Sequence, residues 1–177
     1  MRIILGMTGA SGVIYGLRLL EILQERECEV HLVMSNAWHQ VAKAEGHTLP
    51  KLSPLTTVYS PDDYNVPIAS GSQVFSGGSF DGTAVAPCSG SSLACIAAGI
   101  NRHLIHRVAE VQLKERRRLI LLFRESPLSL IHIKNMEQIT SAGGIIQTAS
   151  PVFYDKPQTV ADIVDSVVLR TMQLLTV

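Results

Sequence analysis

A chain of 177 residues can bury a substantial core without disulfide or metal staples, and one domain is expected over residues 1–177. Its 15 basic and 15 acidic side chains cancel, leaving no electrostatic footprint for nucleic acid or an anionic membrane surface. Charged residues make up only 17%, against roughly 25% in ordinary globular chains; with no apolar run long enough to span a bilayer, the surplus apolar surface is expected to face other copies in a homo-oligomer.

Ile3-Ile4-Leu5 reads as a short buried strand closed by Gly6. Gly9-Ala10-Ser11-Gly12 comes next, small residues that permit a sharp turn and close approach by a ligand. Ile14, Leu17, Leu20 and Ile22-Leu23 then recur at helical spacing up to about Glu27. The opening run is too brief and glycine-interrupted for a secretory signal. Cys28, Cys88 and Cys95 form no CxxC pair, as expected of reduced thiols in a cytoplasm.

Val30–Met34 is a second strand, mostly apolar. Ser35 is placed to cap a helix from about Asn36 to Glu45 that Gly46 stops. Between His47 and Gly82, prolines at 50, 54, 61 and 67 break the signal into a long loop with a short strand around Thr57–Tyr59. Thr83–Pro87 is the next strand, and Cys88–Ser92 turns into a helix from Leu93 to about Ala98. Leu104, Val108 and Val111 mark a helix reaching Lys114, with the basic cluster Arg116-Arg117-Arg118 just beyond it. Leu119–Phe123 is a buried strand, Ser129–Ser141 a helix, Gly144–Gln147 the start of a fifth strand, and Thr159-x-x-Asp162 opens the last helix. Strands alternating with helices imply a parallel sheet with right-handed crossovers: a single-domain, three-layer, doubly wound α/β fold of flavodoxin or Rossmann type.

Such a sheet brings every strand's carboxyl end to one rim, where ligands bind. Gly9, Ala10 and Ser11 arrive there after the first strand, Ser35 after the second, and Ser89, Gly90, Ser91 and Ser92 after the Thr83–Pro87 strand. Three loops of glycine and hydroxyl residues at helix N-termini favour a phosphorylated ligand held without metal. The six histidines show no HxH or HExxH pattern; His103 and His106 read as surface or packing residues. Arg107 and Lys114 lie two turns apart on one helix face, while Arg116–Arg118 read as a solvated run. Arg124 and Glu125 come directly after the Leu119–Phe123 strand, and Glu125 is either paired with Arg124 or placed to trade protons with a ligand.

The ordered motifs MTGASGVIYG, PIASGS, PCS, HRVAEVQLKERR, LILLFRESP, IHIKNM and SPVFYDKPQTVADIVD resemble those of the flavin prenyltransferase (UbiX) family, almost end to end. The resemblance implies an enzyme that binds reduced FMN and dimethylallyl monophosphate and joins the prenyl group to flavin N5 and C6. The product, prenylated FMN, is the cofactor of UbiD-type decarboxylases. It also implies a metal-independent reaction in a dodecamer with sites shared between subunits.

Carried over by motif, Gly9, Ala10, Ser11, Ser35, Ser89–Ser92 and Arg107 would serve FMN. Lys114, Arg124 and Glu125 match phosphate-handling and acid/base positions, with Ser11 joining the proton chemistry. Tyr154 and Arg170 match residues that grip the prenyl phosphate, and Ser70 belongs to a loop near it. Where the family often has Met-Lys-Thr, this chain has Gly90-Ser91-Ser92, and it stops at Val177, short of a tail that many members carry. Two other readings are a phosphopantothenoylcysteine decarboxylase, whose PASANT-like loop is absent, and a non-catalytic FMN-holding subunit of a decarboxylase complex.

Overall fold

The computed structural model describes residues 1–72 and 80–176. Within them lie six strands: β1 (Arg2–Met7), β2 (Glu29–Met34), β3 (Thr56–Tyr59), β4 (Gly82–Cys88), β5 (Leu119–Phe123) and β6 (Ile145–Thr148). Interleaved with them are six α-helices: α1 (Val13–Glu25), α2 (Asn36–Ala44), α3 (Gly90–Ala97), α4 (Leu104–Lys114), α5 (Leu130–Ser141) and α6 (Val160–Thr176). Neighbouring strands are parallel in the order β3-β2-β1-β4-β5-β6. That is the Rossmann order, and it bears out the expected doubly wound fold.

Strand periodicity divides the core in two. Ile3, Leu5 and Met7 of β1 and Ile120 and Leu122 of β5 join Leu20 and Leu23 of α1 and Val168 and Met172 of α6 on one face. Ile4, Leu119, Leu121 and Phe123 join Leu93 of α3 and Ile105 and Val108 of α4 on the other. Each fully buried Leu or Ile contributes about 1.5–3 kcal/mol, so burial on both faces explains why these strands read as continuous apolar runs.

Several boundaries differ from the sequence reading. Gly6 lies inside β1 and does not end it: a Cβ there would come 2.7 Å from Ile105 Cγ2, so glycine lets α4 seat directly on the strand. The short strand near Thr57 is β3, the sheet edge, which raises the strand count to six. α3 starts at Gly90 rather than Leu93, because Ser89 accepts the Ser92 N–H and caps it. Of the basic cluster read as solvated, Arg118 donates to the Leu174 carbonyl (2.6 Å) and Arg117 to the Gly71 carbonyl (3.4 Å). The long loop expected over 47–82 includes residues 73–79, which lie outside the described residues.

The three cysteines are free and buried. Among the described residues, no helix is long and apolar enough to cross a membrane.

Candidate active site

The strand order reverses between β1 and β4, so the loops leaving their carboxyl ends diverge and open a crevice. Thr8 bolts the two loops together. Its Oγ1 donates to the Pro87 carbonyl (2.9 Å) and accepts the Ser89 N–H (2.9 Å). Above it lies a cavity of about 570 Å³, within the usual range for small-molecule sites.

Two helices point their N-termini at this cavity. Ser35 caps α2 by accepting the Trp38 N–H (3.2 Å), and Ser89 caps α3 by accepting the Ser92 N–H (3.2 Å). The Asn36, Ala37, Gly90 and Ser91 N–H groups, at the first two positions of each helix, have no partner within it. All four residues line the cavity, as does Arg102. Paired helix ends, serine hydroxyls and a guanidinium form a donor set suited to a phosphate-bearing ligand.

Part of the wall beside α3 is built from histidine. The His103 and His106 rings meet at a tilt of 31° with centroids 3.7 Å apart, and His106 is only 2% exposed. The Pro61 carbonyl accepts the Leu104 N–H (2.7 Å), which brings Asp62 to the mouth of the cavity. Burial, with help from His103 and Arg102, pushes the His106 pKa down to about 3. Burial also lowers that of His103, whose Nδ1 is buried without a partner among the described residues. The sequence reading of these rings as surface or packing residues missed their place in the wall, because histidine spacing alone shows no ligand pattern.

Glu125 enters from beyond β5 and accepts the Ser126 N–H (3.1 Å). Among the described residues no ion pair joins it to Arg124. His132 of α5 faces it. A Cβ at Gly90 would stand 3.0 Å from His132 Nε2 and 3.6 Å from Glu125 Oε2. His132 Nδ1 accepts the Ser129 N–H (3.2 Å) in a capping box, so its Nε2 carries the ring proton toward the cavity.

The first loop behaves differently from its motif. Gly9 lines the cavity, but a Cβ there would strike Ala37 Cβ at 2.5 Å, so its smallness admits α2 rather than a ligand. Ala10 is buried, and Ser11 is turned to Glu45. The anion site expected at the N-terminus of α1 is taken by the chain's own carboxylate. Glu45 accepts the Gly12 N–H (2.8 Å) and the Val13 N–H (2.9 Å). Burial works to raise the Glu45 pKa, but the Ser11 hydroxyl and these two N–H groups outweigh it and hold it below the usual range. Nothing in the local sequence pairs positions 12 and 45.

The remaining residues lie elsewhere. Arg107 donates to the Ala69 carbonyl (3.0 Å) and pairs with Glu110 (2.9 Å), clasping the loop that carries Ser70. Lys114 pairs with Glu115 (2.8 Å), which packs against Gly71 of the same loop. Arg124 passes beside Gly12. Tyr154 is 94% exposed, and Arg170 lines a separate groove beside β6 with Ser150 and Ser166.

The flavoprotein family model matches residues 1–172. The flavin prenyltransferase UbiX of Aquifex aeolicus is 45% identical over 179 residues, covering 98% of this chain and 93% of that one. The structure of AnUbiX (PadA1) in complex with FMN and dimethylallyl pyrophosphate superposes with a TM-score of 0.89 at 39% identity, covering 99% and 92% of the two chains. A dodecameric FMN-dependent UbiX-like decarboxylase from Escherichia coli O157:H7 gives the same TM-score and identity, covering 100% and 96%. A phosphopantothenoylcysteine (PPC) decarboxylase, at 17% identity and a TM-score of 0.59, shares the fold alone. The chain belongs to the flavin prenyltransferase (UbiX) family of flavoproteins.

Proposed function

We propose that this chain is a flavin prenyltransferase: it takes reduced FMN and dimethylallyl monophosphate and yields prenylated FMN for a UbiD-type decarboxylase. The observation that carries this reading is the meeting, in one cavity, of two donor-bearing helix ends with a carboxylate that has no cationic partner among the described residues. The α2 and α3 N-termini, Ser35, Ser89 and Arg102 would hold the FMN phosphate and polar tail. Bound flavin supplies the nucleophilic ring atoms, N5 and C6.

The chain's own residues supply the rest. Glu125, whose carboxylate accepts the Ser126 N–H, would exchange protons during ring closure. Ser11, turned to the Glu45 carboxylate, would join the proton chemistry. Lys114, Arg124, Tyr154 and Arg170 would form a cationic and hydrogen-bonding cradle for the departing phosphate. Ser70 would line that end. Arg107 would support the flavin side by clasping the Ser70 loop.

These groups are spread over the surface of one chain, which supports a homo-oligomer, a dodecamer, in which copies complete each site. Exposed Leu130, Ile131, Phe153 and Tyr154 supply apolar surface for such contacts. The cytoplasm is the proposed location, since the free thiols suit a reducing compartment.

Mass spectrometry of flavin after incubation with reduced FMN and dimethylallyl monophosphate tests the proposal. Prenylated FMN is expected. Flavin that stays bound but unmodified would select the non-catalytic FMN-holding reading instead.

A further inference from the structure

We propose that His106 is a positioning residue for the cavity's ligand: it orients the Ser89–Ser92 hydroxyl pair so that one O–H is held toward an acceptor atom of bound flavin. This rests on the FMN reading above.

The Arg102 N–H donates to His106 Nδ1 (3.3 Å), so Nδ1 is an acceptor and the ring proton sits on Nε2. Nε2 lies 3.1 Å from Ser92 Oγ and donates to it. Ser92 Oγ in turn lies 3.2 Å from Ser89 Oγ, which already accepts the Ser92 N–H. Two hydroxyl hydrogens must therefore be placed. One lies between the two oxygens. The other cannot turn toward the imidazole, because the ring presents a hydrogen there and not a lone pair. Both serines line the cavity, and no other described group accepts from them, so the second hydrogen is offered to whatever binds.

FMN suits that offer, since its phosphate, its ribityl chain and the carbonyl oxygens and nitrogens of its ring edge all accept hydrogen bonds. His106 does not touch the ligand with a polar atom of its own, because both ring nitrogens are engaged within the protein. The His103 ring covers its face, and Arg102 and Asp62 are the charged groups beside the two rings. Burial keeps the ring neutral, so the hydrogen-bond direction holds throughout the physiological pH range. A buried, fully paired chain of this kind fixes one arrangement where isolated serines would sample several.

FMN titrations of the full chain, monitored by fluorescence and by the visible absorption of bound flavin, test this. His106→Met fills similar volume without a donor and should weaken FMN about tenfold, the worth of one hydrogen bond, with a shifted flavin absorption band. His106→Gln can place an amide N–H near Nε2 and should recover affinity to within about threefold of wild type. Added to Ser92→Ala, His106→Met should cost nothing further, because its route to the ligand is already cut.

Equal losses in the Met and Gln variants, or additive losses with Ser92→Ala, would show a merely structural histidine and overturn the proposal. So would wild-type affinity in His106→Met. Wild-type protein that bound no FMN would overturn the functional reading and this inference together.

Discussion

The rim cavity and the set of groups assigned to the prenyl phosphate differ in how one chain builds them. Thr8, Ser35, Ser89, Glu125, His106 and His132 come from six separate stretches, yet the switch between β1 and β4 gathers them into one space. Lys114, Tyr154 and Arg170 stay apart, paired locally or facing solvent. A parallel sheet concentrates the loop residues at the carboxyl ends of its strands, and residues on helix flanks and beyond the last strand gain nothing from that geometry. On the proposed reading, the flavin end of the reaction rests on the fold, and most of the phosphate end on contacts between copies.

The largest expected effect separates chemistry from binding within the cavity. Glu125→Gln keeps size and hydrogen bonding but cannot transfer a proton. Steady-state turnover should fall by roughly 10²–10⁴-fold with FMN affinity retained. Prenylated flavin formed at the wild-type rate would leave Glu125 a bystander.

Next comes the scattered set. Arg170→Ala should lower kcat/KM for dimethylallyl monophosphate about 10²-fold, the usual cost of one donor aimed at developing charge. FMN affinity should not move, and a parallel loss of flavin would merge the two regions that the fold keeps apart. Ser89→Ala acts on the cavity alone: it should weaken FMN about tenfold and cost about 1 kcal/mol of stability through the lost cap. Calorimetry and flavin titration on one sample give both values.

The last effect is one of pH. His106 has a folded-state pKa of about 3 against an ordinary 6.5, so between those values the unfolded chain binds the extra proton. Stability contributed by the neutral ring is full above that window and lost as pH falls from 6.5 toward 3, at up to about 1.4 kcal/mol per pH unit. Denaturant unfolding of His106→Gln should show a shallower acid slope than wild type.

The sheet, the helices and the Ser35 cap were legible because each is written locally. Ser35 stands directly before α2 and caps it as expected, whereas α3, which Ser89 caps, begins three residues ahead of the start read for that helix. The contacts made between distant stretches were not legible. Glu45 meets Gly12 across 33 positions, and His106 meets Ser92 across 14, with no pattern that marks either pair. Arg107 shows the same limit: helical spacing gave its face, but not that the Ala69 carbonyl lies over it. Periodicity reports which way a side chain points along its own element; the partner it meets there depends on contacts distant in sequence. Tyr154 and Arg170 were reached only through family resemblance, since neither burial nor position near the rim distinguishes them.

The division between fold and assembly has one direct test. Glu125→Gln and Arg170→Ala chains are each inactive in homo-oligomers by this account, and they can be co-assembled in equal amounts and assayed for prenylated flavin. If one copy supplies Glu125 and another supplies Arg170, random mixing restores an intact pair in roughly a quarter of the sites, and activity returns to about that level. Mixed oligomers as inactive as their parents, with assembly confirmed by sedimentation, would mean that each chain furnishes both residues to its own site, and the account would be wrong.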